Sequence, residues 1–198
     1  MIIVAIDETN FKEASKILSC LNPKQCMIKI GSVSFNSFGH DLINYAAKKG
    51  FDIFLDLKLH DIPNTVKKSI QGLTSLPIKM LTIHISGGEE MLKSSREAVE
   101  GTDIKIFGVT ALTSLSDDDT KKIYRRTCSE QVNAMLDLAE SSNIHGVVCS
   151  PHEIDLVKKR KSLKVITPGI RMKKSNDDQK RIMLPKEAIE LGADFIVI

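Results

Sequence analysis

Apolar positions along this chain fall into two alternating rhythms. Short runs rich in β-branched and aliphatic residues recur at 2–6, 27–30, 52–58, 80–85, 105–110, 146–150, 164–167 and 194–198. Each has the length and composition of a buried strand. Helix-like stretches lie between them at 10–20, 37–49, 63–73, 89–99, 127–142, 151–161 and 184–191. Pro63, Pro151 and Pro185 stand at the starts of three of these, where a missing backbone N–H costs nothing. Strands alternating with helices imply a parallel sheet with helical crossovers. Eight such strands predict a (β/α)8 TIM barrel, with an open doubly wound sheet as the alternative. The longest apolar runs, such as MIIVAI at 1–6, are far too short to span a bilayer.

The segment 52–63, DIFLDLKLHDIP, breaks the simple pattern. Alternate residues of a strand share a face, so Ile53, Leu55, Leu57 and Leu59 form one aliphatic face. The other face begins with Phe54 and turns into Asp56, Lys58 and His60, with Asp61 just beyond. Polar residues gather at other strand ends too: Asp7, Lys29, His84 and Thr110. A (β/α)8 barrel keeps its active site at the C-terminal ends of its strands. Leu55 and Leu57 are therefore expected to face the outer helices, and Asp56 and Lys58 to point into the barrel mouth.

Spacing alone also suggests a chemistry. Asp56 and Lys58 are two apart on one face, so their heads can meet, and Asp61 follows at the start of a loop. A lysine between carboxylates stays charged; each close pair contributes roughly 4 kcal/mol at an effective dielectric of about 20, before desolvation is subtracted. Such a lysine is a poor Schiff-base nucleophile and is better suited to delivering a proton or stabilising a nearby carbanion. The bland alternative is a structural salt bridge, although buried ion pairs are weak stabilisers.

Composition narrows the picture further. The 198 residues are 42% hydrophobic and 27% charged, which is ordinary for one domain with a sizeable core. A net charge of +3 suits a small anionic substrate but is no nucleic-acid footprint. The KKRK run at 158–161 falls at an expected helix C-terminus, where cations are favoured anyway. Cys20, Cys26, Cys128 and Cys149 include no C-x-x-C pair and are expected to be free thiols. The histidines and cysteines show no metal-ligand spacing, so no metal is expected. Residues 1–10 carry Asp7 and Glu8 with no basic stretch or cleavage pattern, which predicts a cytoplasmic chain without a signal peptide.

The block FLDLKLHDIPNTV at 54–66 closely resembles the signature of the orotidine 5′-phosphate decarboxylase family. VAID at 4–7, KIG at 29–31, TIHISGG at 82–88, GVTALTS at 108–114, TPGIR at 167–171 and DDQKR at 177–181 resemble that family's other blocks, in its order. Together they cover essentially the whole chain, as one TIM-barrel domain over 1–198. The resemblance implies decarboxylation of orotidine 5′-phosphate to uridine 5′-phosphate, the last step of de novo pyrimidine nucleotide synthesis, with no cofactor.

It also implies roles. Lys29, Asp56, Lys58 and Asp61 match the catalytic tetrad, with Lys58 the proton donor to C6 and Asp56 beside the substrate carboxylate. Asp61, Ile62 and Thr65 would reach into a neighbouring subunit's site, giving a homodimer with shared active sites. Asp7 and Lys29 would contact the ribose hydroxyls, Thr113 would lie near the pyrimidine, and Arg171 and Gln179 would belong to the loop closing over the phosphate. The family pattern continues after the last strand with a phosphate-binding Gly-Arg pair and an eighth outer helix; the sequence stops at ADFIVI, 193–198, before either. That predicts a longer parent chain. Two other functions stay open. One is a magnesium-dependent sugar-phosphate decarboxylase or aldolase sharing the D-x-K-x-x-D spacing; the other is a non-catalytic nucleotide-binding homologue. His60 is expected to order its neighbours and His84 to be a satisfied barrel histidine.

Overall fold

The computed structural model describes residues 1–171 and 183–198. All eight expected strands form: β1 Ile2–Ile6, β2 Cys26–Gly31, β3 Ile53–Leu59, β4 Met80–His84, β5 Lys105–Val109, β6 Gly146–Val148, β7 Lys164–Thr167 and β8 Phe195–Val197. They are parallel and close in sequence order into a barrel. Closure rests on β1 against β8, where Ile2 pairs with Ile196 and Ile3 with Val197. Among the described residues the helices are α1 Phe11–Cys20, α2 Ser32–Phe38, α3 His40–Lys48, α4 Pro63–Leu73, α5 Glu89–Glu97, α6 Asp117–Tyr124, α7 Cys128–Ser141, α8 Ile154–Lys158 and α9 Pro185–Glu190. None is long and apolar enough to cross a membrane, and all four cysteines are free thiols.

The period-2 alternation of the strands divides the core in two. Ile3, Met27, Phe54, Met80, Phe107 and Ile166 fill the barrel. Ile28, Ile53, Leu55, Leu81, Ile106 and Val165 pack outward with the apolar faces of the helices. Leu57 and Leu59 pack against this outer layer, as the 52–63 pattern predicts. Burial of a Leu, Ile or Phe side chain contributes roughly 1.5–3 kcal/mol, so both layers commit every strand to one facing.

Three helical details differ from expectation. The stretch 37–49 is not one helix: α2 starts earlier, and Gly39 at φ 55° ends it and begins α3. The stretch 151–161 is a 3-10 turn at Pro151–Glu153 leading into the short α8. Its entry is fixed by Ser150, whose hydroxyl accepts the His152 N–H and whose own N–H is taken by the buried Glu153. Helix α6 was not expected, because DDDTKKIY buries only Thr120 and so carries almost no apolar stripe. Its signal was the capping box, in which Ser116 and Asp119 satisfy each other's backbone N–H groups.

At the N-terminal end of the barrel, the Ile106 N–H donates to His145 Nδ1 at 2.9 Å. Burial, with the nearby charges of Arg96, Lys105 and Lys164, pushes this imidazole down to about 4. An unfolded histidine protonates near 6.5. Between those two values the unfolded chain binds a proton that the native chain refuses, so stability falls as pH drops through this window. Melting temperatures at pH 7.5 and pH 4.5 should differ, and His145→Asn should narrow the gap. An unchanged gap would place the acid sensitivity elsewhere.

Candidate active site

The inner faces of β1, β2 and β3 carry the charged residues upward from the apolar barrel core. Ala5 pairs with Lys29 and Lys29 with Phe54, which makes one layer. The layer above contains Gly31, which pairs with Asp56, and Asp7 lies one step past the end of β1. Gly31 thus stands between two carboxylates and fills none of the space there. The ammonium of Lys29 rises into that gap, 3.2 Å from Asp7 Oδ1 and 3.8 Å from Asp56 Oδ2. A Cβ on Gly31 would lie 3.0 Å from Lys29 Nζ and 3.3 Å from Asp7 Oδ1, so a side chain there would have to push both charged heads aside by a few tenths of an ångström.

Lys58 completes the row. Its Nζ is 2.7 Å from Asp56 Oδ2, so charges alternate from Asp7 through Lys29 and Asp56 to Lys58. Asp56 is only 7% exposed, whereas the Lys58 side chain is 35% exposed. The deeper carboxylate is fixed and the lysine faces the opening. Pairing between β3 and β4 shifts here: Leu55 is opposite Leu81 and Leu59 opposite Ile83, so four steps on one strand match two on the other. Lys58 sits inside this bulge at φ 52°, the left-handed region that costs a non-glycine residue roughly 1 kcal/mol or more. Bulges of this kind re-aim side chains next to active sites.

Thr82 on β4 ties the bulge to the carboxylate. Its hydroxyl accepts the Lys58 N–H at 2.9 Å and donates to Asp56 Oδ1 at 2.9 Å. Sequence reasoning missed both Thr82 and Gly31, although each lies in a block quoted above. The available signal was register: both continue an inner face by the two-residue period.

The charged row from Asp7 to Lys58 lines a cavity of about 580 Å³ at the C-terminal mouth of the barrel. Of the candidate site residues, Asp7, Lys29, Asp56, Lys58, Thr113 and Arg171 line it, over apolar walls that include Val109 and Ile170. Asp61, Ile62 and Thr65 do not. They are exposed on the loop after β3 and the first turn of α4; Ile62 is 67% exposed, and Asp61 accepts the Ile62 N–H at 2.7 Å. Gln179 lies outside the described residues. His84, its ring 5.3 Å from that of His60, is held below the ordinary histidine range by burial and by the charges of His60 and Lys58, which outweigh Asp56. Among the described residues, no three His, Cys, Asp or Glu side chains converge as a metal site would require.

This arrangement can present a cation to a carbon atom that gains charge, next to a buried anion that repels a substrate carboxylate. Its apolar surroundings strengthen both effects. A model of the orotidine 5′-phosphate decarboxylase / HUMPS family matches residues 1–198. The chain is 44% identical over 200 residues to the orotidine 5′-phosphate decarboxylase of Wolbachia pipientis subsp. Culex pipiens (strain wPip), over all of this chain and 88% of that one. It is 41% identical over 203 residues to the enzyme of the same name from Saccharophagus degradans, over 100% of this chain and 85% of that one. The crystal structure of orotidine 5′-phosphate decarboxylase from Lactobacillus acidophilus superposes with a TM-score of 0.86 at 36% identity, over 99% of this chain and 88% of that chain.

Proposed function

Because the chain belongs to the orotidine 5′-phosphate decarboxylase / HUMPS family, we propose that it is a carbon–carbon lyase converting orotidine 5′-phosphate to uridine 5′-phosphate and CO2. Residues 1–198 act as one catalytic domain and use neither metal nor organic cofactor. The observation that carries this reading is the Lys58 ammonium, held 2.7 Å from the buried Asp56 over the barrel cavity.

The reaction follows from that placement. Cleavage of the bond between C6 and the carboxylate releases CO2 and leaves the electron pair on C6. The Lys58 ammonium faces the developing carbanion, lowers its energy as charge builds, and transfers a proton to C6. The resulting neutral amine is half-exposed and regains its proton from water. Asp56 stands beside the departing carboxylate. Asp7 and Lys29 hold the ribose hydroxyls, Thr113 lies by the pyrimidine, and Arg171 at the cavity rim meets the phosphate. Binding energy from that distant phosphate supports the chemistry at C6.

The exposed group of Asp61, Ile62 and Thr65 fits a different duty. A large apolar side chain next to an acid, outside its own cavity, suits a homodimer in which each subunit completes its partner's site. The same reading places the protein in the cytoplasm, in keeping with its free thiols.

The deciding assay follows loss of the orotate chromophore in purified protein with excess EDTA. Undiminished turnover of orotidine 5′-phosphate is expected. Turnover that vanishes with EDTA and returns with magnesium would overturn the metal-free mechanism; turnover of a sugar phosphate in place of the nucleotide would overturn the substrate.

A further inference from the structure

We infer that Thr82 is a positioning residue for catalysis, its single hydroxyl holding both ends of the Asp56–Lys58 pair in working geometry. The inference rests on the decarboxylase reading and extends it to a residue that does not line the cavity.

Proton counting fixes the direction of each bond. A threonine hydroxyl has one proton to give and two lone pairs to accept with. The backbone N–H of Lys58 can only donate, so at 2.9 Å the Thr82 oxygen must be accepting. Its one proton is then directed to Asp56 Oδ1, also at 2.9 Å, and that oxygen must accept. The other carboxylate oxygen receives the Lys58 ammonium at 2.7 Å. A closed ring results, running from the Thr82 hydroxyl through both oxygens of Asp56, along the Lys58 side chain and back through its N–H. Neither the carboxylate plane nor the β3 bulge can turn without breaking a bond in that ring.

Thr82 is 0% exposed, so water does not replace it in the folded protein. The other buried threonines serve differently: the hydroxyls of Thr110, Thr120 and Thr167 donate to backbone carbonyls of Val148, of Ser116 and Asp117, and of Cys149. Thr82 instead gives its proton to a charged side chain at the reacting end of the barrel. The backbone it holds is also the strained one, since Lys58 is at φ 52°. Such a conformation persists only where its surroundings over-determine it.

The test compares Thr82→Val, which has nearly the same shape and no hydroxyl, with Thr82→Ser, which keeps the hydroxyl. For Thr82→Val, kcat for orotidine 5′-phosphate should fall by about 10- to 100-fold, the size of a small misplacement of catalytic groups. KM should stay within about threefold, because Thr82 touches no substrate. Thr82→Ser should keep kcat within about threefold of the parent. Should the valine variant fail to fold by circular dichroism, Thr82→Cys, whose thiol is a poor donor, takes its place under the same criteria. An unchanged kcat without the hydroxyl overturns the inference. So does an equal loss in the serine variant, or a loss confined to KM. A parent that does not decarboxylate at all sinks the functional reading itself, which separates the two failures.

Discussion

Lys58→Ala is expected to lower kcat by about 10⁴-fold or more, because it removes both the charge stabilising the carbanion and the proton that quenches it. The fold should survive. Asp56 keeps the Thr82 hydroxyl at 2.9 Å and the Lys29 ammonium at 3.8 Å, so its charge is not stranded. The measurement is single-turnover loss of the orotate chromophore, with circular dichroism on the same sample. Retention of more than about a tenth of parental kcat would remove Lys58 from the centre of the mechanism, since that loss is smaller than a single well-placed acid provides.

The second large effect comes from mixing variants that are each nearly inactive. Asp61 lies outside its own cavity, so in a shared-site dimer it belongs to the partner's chemistry. Subunits carrying Lys58→Ala and Asp61→Ala are refolded together in equal amounts. Half of the dimers formed are hybrids, and each hybrid has one site with both residues intact. Activity should therefore return to roughly a quarter of the parent level, as the two-fold symmetry of such an interface requires. Native mass spectrometry verifies that hybrids have formed. Hybrids without recovered activity would mean that Asp61 does not act across the subunit boundary.

What could be read from the sequence follows from how local each feature is. Facing along β3 was legible because the two-residue period needs only neighbouring residues, and Leu55, Asp56 and Leu57 lie as that period demands. The barrel was legible from eight repetitions of one motif. The Asp56–Lys58 contact was legible from two-residue spacing, but the rest of the row from Asp7 only as a set of polar strand ends. Its order depends on register between strands more than 20 residues apart, and no local propensity encodes that. The role of Gly31 is of the same kind: its missing side chain matters because Asp7 and Asp56 arrive on neighbouring strands, on either side of the space that Lys29 of its own strand fills. The β3 bulge and its Thr82 anchor arise from a shift in pairing with β4, which alternation within β3 conceals. Helix α6 escaped for a different reason, since an element held mainly by its cap leaves little hydrophobic trace.

Lys58 occupies a backbone conformation that glycine would accept without penalty, and that fact sets two kinds of selection against each other. Relieving the strain would favour glycine or asparagine at 58, while the chemistry requires an amine there. A library screened only for resistance to heat would drift away from lysine at this position and gather well-folded, inactive barrels. Thermostabilisation of this protein therefore has to select for turnover at the same time, or leave residue 58 out of the library.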